Sequence, residues 1–72
     1  MGRMVAIELL QLIKDTPRIT PTEMGGRLRF TTQYVRNTLR VLSELNLVNT
    51  PVRGSYIITN LGLHVLENQR DQ

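Results

Sequence analysis

Seventy-two residues with a net charge of +3 and a pI near 10.2 make a small, basic chain with room for one domain, residues 1–72. A chain of this length buries only about 60% of its unfolded surface, so its stability is marginal and association would help it. There is no cysteine and one histidine, His64, which excludes disulfides and thiolate metal sites. The longest apolar run, 4–13, is broken by Glu8 and Gln11 and is too short to cross a bilayer or act as a signal peptide. The expectation is a soluble, cytoplasmic protein with no cofactor.

The charge is concentrated in the middle of the chain. Residues 18–53 hold six arginines (Arg18, Arg27, Arg29, Arg36, Arg40, Arg53) against Glu23 and Glu44, a balance of +4. The flanks hold Arg3, Lys14 and Arg70 against Glu8, Asp15, Glu67 and Asp71, a balance of −1. Arginine outnumbers lysine eight to one, and its forked guanidinium suits both phosphate oxygens and guanine edges. A solvated basic surface is the plainer reading of the same charge.

In chain order, a first helix is predicted from Met4 to Lys14, with Val5, Leu9, Leu12 and Ile13 on one side and Ile7 and Leu10 outside that stripe. Asp15, Thr16 and Pro17 end it, because the residue before a proline is pushed out of the helical region. Thr20 to Glu23, T-P-T-E, is a capping box with Pro21 at the first helical position, where its missing amide costs nothing. The second helix then runs from Pro21 to Leu28 with Met24 and Leu28 inward. Gly25 and Gly26 each lower helix propensity by roughly 1 kcal/mol, which predicts close helix packing or close approach to a ligand backbone. Phe30 is the apolar plug of the turn that follows.

The third helix spans 31–45, capped by Thr31 and stopped by Asn46 in a left-handed conformation. At about 100° per residue, Val35, Leu39 and Leu42 fall on one face and Gln33, Arg36, Asn37 and Arg40 on the other. A helix with an apolar back and a face of amides and arginines is held by a core and turned toward something polar and anionic. Double-stranded DNA is the leading candidate.

Leu47–Thr50 and Ser55–Ile58 are short β-rich runs around Pro51-Val52-Arg53-Gly54, a hairpin signal. Thr59 restarts a helix through Leu61, Val65 and Leu66, with Leu61 and Val65 inward and a frayed tail from Asn68 to Gln72. Ile7 and Leu10 in the first helix, and Leu63 and Leu66 in the last, are more apolar residues than one face needs. They predict a two-fold homodimer, unless the two helices use them up against each other within one monomer.

Helix, helix, helix, hairpin, helix, with a tight turn between the second and third helices, resembles the winged helix-turn-helix regulators, which include the MarR, PadR and ArsR types and many small archaeal and viral repressors. The matching residues are the Thr20–Met24 opening, Leu28 and Phe30 at the turn, Thr31 and Val35, Leu39 and Leu42, and the E-L-N-L-V exit from Glu44 to Val48. Y-I-I-T-N-L-G from Tyr56 to Gly62 looks like the last wing strand running into the final helix. Gly25 stands where alanine is usual and Asn46 where glycine is usual.

The resemblance implies a mainly α fold with a small β-hairpin, and a DNA-binding transcriptional regulator, a repressor by expectation. The third helix would enter the major groove by its N-terminal half, placing Thr31, Thr32 and Gln33 at phosphates or base edges. Gln33, Arg36 and Asn37 are expected at bases and Arg40 at a phosphate. Tyr34 either reaches a phosphate with its hydroxyl or packs as a half-buried core residue. Arg27 and Arg29 either touch the flanking backbone or answer the helix dipole, and Arg53 with Gly54 at the wing tip is expected along the minor groove. A dimer would place two third helices one turn of DNA apart on a palindromic site.

The alternative from another class is a winged helix used for protein contact in a transcription or replication complex, where the third helix would show an apolar or acidic face. An enzyme has little support. There is no Ser, His and Asp set at motif spacing and no close carboxylate pair, and Gly25-Gly26 lacks the following Lys-Ser or Lys-Thr of a phosphate loop. His64 reads as a surface residue of the last helix.

Overall fold

The computed structural model describes residues 5–70; Met4, expected to open the first helix, and the last two residues of the expected frayed tail lie outside that range. The order is α1 (Val5–Asp15), α2 (Pro21–Leu28), α3 (Thr32–Glu44), β1 (Val48–Asn49), β2 (Ile57–Ile58) and α4 (Asn60–Arg70). The element sequence is the predicted one. The hairpin is shorter than predicted, two antiparallel pairs with Val48 opposite Ile58 and Asn49 opposite Ile57. At the other end, α4 continues through Asn68 to Arg70, where fraying was expected.

Local chemistry sets most of the boundaries. In the capping box, the Glu23 N–H donates to Thr20 Oγ1 at 3.2 Å and the Thr20 N–H donates to Glu23 Oε1 at 2.9 Å, so two orphan donors of α2 are satisfied reciprocally. Thr31 caps α3 by accepting from the Tyr34 N–H at 3.1 Å. Asn46 takes φ 62° as expected, and around it the Leu47 N–H reaches Leu42 O at 2.9 Å and the Asn46 N–H reaches Ser43 O at 3.0 Å. That pair of bonds is a Schellman stop. Two further left-handed residues, Arg18 at φ 69° and Arg29 at φ 64°, end the α1–α2 corner and α2. Neither residue type announces such a conformation.

The bonds of the Thr20–Glu23 box hold the Glu23 carboxyl below its ordinary value of 4.5, and nearby Arg27 adds to this. A lowered folded-state value means that the stabilisation is complete above the ordinary carboxylate range and is lost as pH falls through the lowered value. Thermal melting of the wild type should therefore weaken in acid more than that of Glu23→Gln, whose amide keeps a capping bond without titrating. Equal acid dependence of the two proteins would contradict this.

The core is formed by Leu9, Leu10 and Ile13 of α1, Ile19, Met24 of α2, Val35, Leu39 and Leu42 of α3, Val48 and Leu66. All of its buried side chains are apolar. α2 packs on α3, and α1 lies against α4, β2 and α3. This arrangement corrects the dimer residues: Leu10 and Leu66 are both 0% exposed and belong to the monomer's own core, while Ile7 and Leu63 are half-buried. α1 has neighbours on more than one side and needs a wider apolar face than a single stripe. Leu61, expected inward, is 49% exposed.

The phase of α4 follows from its first turn. Thr59 Oγ1 donates to Asn46 O at 2.6 Å and accepts from the Gly62 N–H at 3.0 Å, while the Thr59 N–H donates to Leu47 O at 3.1 Å. One threonine thus ties the end of α3 to the start of α4. Gly62 is pressed against this junction, where a Cβ would collide with the carbonyl oxygen of Leu47 and lie 2.7 Å from Ile58 Cγ1. With Gly62 inward, Leu66 one turn later must also be inward, and Leu61 is turned out. Gly25 has a similar reason: a Cβ there would lie 2.7 Å from Phe30 O, so the close approach is to the chain's own turn.

Candidate nucleic-acid interface

The apolar back of α3, Val35, Leu39 and Leu42, is buried, and this turns Gln33, Arg36, Asn37 and Arg40 outward, all four exposed. Thr31 is exposed at the cap and Thr32 is half-buried in the first turn. The structure therefore gathers seven of the ten expected residues, Tyr34 included, on or beside one exposed helix surface. Within it, Gln33 Nε2 donates to Asn37 Oδ1 at 3.0 Å.

Arg36 and Arg40 lie on the flank of that surface facing the hairpin. They line an open groove of about 380 Å³ with Ser43, Glu44, Thr50 and Tyr56. Arg36 also lines an adjoining groove of about 300 Å³ with Pro21, Arg53, Gly54 and Tyr56. The wing tip is closed by the Ser55 N–H donating to Val52 O at 2.9 Å, with Gly54 at φ 85°, the third position of a type II turn. Arg53 is thereby brought to the same groove as Arg36, although the two are 17 positions apart in the chain.

Tyr56, which the sequence reading placed only in the wing strand, lines both grooves. Its sequence signal was its position one residue before the paired Ile57, since alternate residues of a strand face opposite sides. The ring of Tyr34 sits on Phe30 with centroids 5.0 Å apart, tilted by 53°, and the residue remains 45% exposed. Arg27 is not on the α3 surface. Its Nη1 lies 3.5 Å from Thr16 Oγ1, directed back toward the end of α1.

Arg29 is exposed in the α2–α3 turn, in the left-handed conformation that glycine adopts without penalty. Arg29→Gly should raise stability by about 1 kcal/mol, the cost of holding a side-chain-bearing residue there. A denaturant midpoint unchanged or lowered by this substitution would show that the arginine side chain stabilises the fold.

Other chemistry is thinly represented. Among the described residues no three His, Cys, Asp or Glu side chains come together to hold a metal, and no helix is long and apolar enough to cross a membrane. His64 is exposed on α4, its Nε2 3.1 Å from Asn68 Nδ2.

The sequence matches no protein-family profile and no curated protein. The structure is similar to a Mycobacterium tuberculosis MarR family protein, Rv2887, in complex with DNA, with a TM-score of 0.87 and 17% identity over 97% of this chain and 54% of that one. It is also similar to T. acidophilum IdeR, with a TM-score of 0.82 and 20% identity over 92% of this chain and 33% of that one. Streptococcus pneumoniae FabT in complex with DNA gives a TM-score of 0.77 and 16% identity over 97% of this chain and 53% of that one. The chain spans about half the length, or less, of these three structures. Its fold is the winged helix-turn-helix, with α2 and α3 as the helix pair and the β1–β2 hairpin as the wing.

Proposed function

We propose that this protein is a sequence-specific double-stranded DNA-binding transcriptional regulator that reads the major groove with α3. The observation that carries this reading is the convergence of Arg36 and Arg53 on one groove beside an exposed α3 surface of amides and arginines. Such a surface supplies cations for phosphates and amide donors and acceptors for base edges together. Two of the similar structures are complexes with DNA, and the shared fold supports the same use here.

The Gln33–Asn37 amide pair is assigned to a base edge, and Thr31, Thr32, Tyr34 and Arg40 to the flanking phosphates. Arg36, expected at a base from the helical face alone, is assigned with Arg53 and Tyr56 to the phosphate strand passing between α3 and the wing, because the three line one groove. Arg29 is assigned to the backbone beside the α2–α3 turn. Repression is the action proposed, since occupying a site is sufficient for it. Pairing of two copies through the half-buried Ile7 and Leu63 would set two α3 helices about one turn of DNA apart.

Selection of bound sequences from random duplex DNA tests these points together. A defined motif supports the regulator, and a palindromic motif supports the paired form. Absence of duplex binding at low salt would overturn the regulator in favour of protein contact. The observation favouring that second reading is a pair of exposed apolar residues four apart, Val41 on α3 at 51% and Leu45 at its C-cap at 57% exposure.

A further inference from the structure

Gln33 and Asn37 lie one helical turn apart in the first half of α3, and both are exposed. The hydrogen bond from Gln33 Nε2 to Asn37 Oδ1, 3.0 Å long, joins their carboxamides. Arg36 and Arg40 line the groove on the wing flank, and Tyr34 leans on Phe30, so the amide pair occupies the centre of the outward surface. We infer that the pair reads one adenine as a unit, Asn37 making the base contact and Gln33 acting as the positioning residue that holds its amide. The inference rests on the duplex-DNA reading above.

The chemistry selects the base. A carboxamide offers one carbonyl acceptor and one amino donor. Adenine presents an N6 amino donor and an N7 acceptor in the major groove, and is its complement. Guanine presents two acceptors, O6 and N7, and would leave Asn37 Oδ1 facing an acceptor across a desolvated contact. The bond from Gln33 uses one lone pair of Asn37 Oδ1 and leaves the other, together with both amino hydrogens. Turning both amides over preserves the bond and still presents one acceptor and one donor, so the preference does not depend on which way they are placed. An exposed asparagine without such a partner must be ordered when it binds, and that ordering weakens its discrimination.

Equilibrium binding of the full chain to duplexes that differ at one base pair tests this, using wild type, Gln33→Ala, Asn37→Ala and the double variant. Wild type should prefer A·T over G·C at one position of its selected site by roughly 5- to 150-fold, the range of a good bidentate contact. Asn37→Ala should abolish that preference, Gln33→Ala should reduce it, and the double variant should match Asn37→Ala alone. The readout is the ratio of affinities for the A·T and G·C duplexes at that position, which a merely structural role, weakening both alike, would not move. Both residues are exposed, so helical circular dichroism should remain that of the wild type. Losses that add in the double variant would overturn the coupled reader, and so would a base preference that survives Asn37→Ala. Failure of the wild type to bind any duplex would overturn the DNA reading and this inference with it.

Discussion

Gly62→Ala should lower the stability of this domain by about 3 kcal/mol or more, at the upper end of what overpacking a core costs. The added methyl would meet the carbonyl oxygen of Leu47, a backbone atom that no rotamer change can move. Leu47 is also held in place, its N–H bonded to Leu42 O at 2.9 Å and its carbonyl accepting from the Thr59 N–H at 3.1 Å. Relief would require breaking the junction between α3 and α4. At roughly 0.05 to 0.15 kcal/mol per residue, a domain of this size has only about 4 to 11 kcal/mol in total, so much of it would go at once. Gly26→Ala is the control, because nothing lies within 4 Å of a Cβ there, and it should raise stability by about 1 kcal/mol through helix propensity. Denaturant unfolding of the two variants should move in opposite directions. A Gly62→Ala protein as stable as the wild type would mean that α4 is not seated on Leu47.

Affinity for duplex DNA should fall by about 10³ to 10⁵ between 50 and 200 mM salt if a pair of copies neutralises six to ten phosphates. The cause is release of condensed counterions, and each lost phosphate contact reduces the slope of log affinity against log salt by about one. Arg53→Ala, Arg36→Ala and Arg40→Ala should each lower that slope and weaken all sequences alike. Asn37→Ala should leave the slope unchanged while relaxing the choice of base. The contrast separates the groove between α3 and the wing from the amide surface beside it. Binding insensitive to salt would remove the phosphate role of these arginines, and a slope unaffected by Arg36→Ala would return that residue to a base edge.

The starts of α2 and α3 and the stop of α3 were legible because they are encoded within a few residues. Thr20 and Glu23 close a box four residues long, Thr31 accepts from an amide three residues on, and Asn46 stops α3, its own N–H bonded to Ser43 O and that of Leu47 to Leu42 O. The division of α3 into a buried back and a polar front was equally legible, since Val35, Leu39 and Leu42 repeat at one period and no other apolar residue competes for that face. Within the candidate interface, the exposure of the α3 residues was legible for this reason. Tyr56 and the shared groove were not, because nothing local links residue 56 or residue 53 to residue 36.

The sequence by itself determined where α2 and α3 begin and where α3 stops, which side of α3 faces solvent, and that positive charge lies between residues 18 and 53. Tertiary structure decided the inward faces of α1 and α4, the fate of Leu10 and Leu66, and the meeting of Arg36 with Arg53. The physical reason is the range of the interactions. Caps and amphipathic periods act over three or four residues and are written into neighbouring side chains. A short helix rich in leucine, by contrast, has several apolar faces of nearly equal merit, and the choice among them falls to distant contacts such as Thr59 on Asn46 and Gly62 on Leu47.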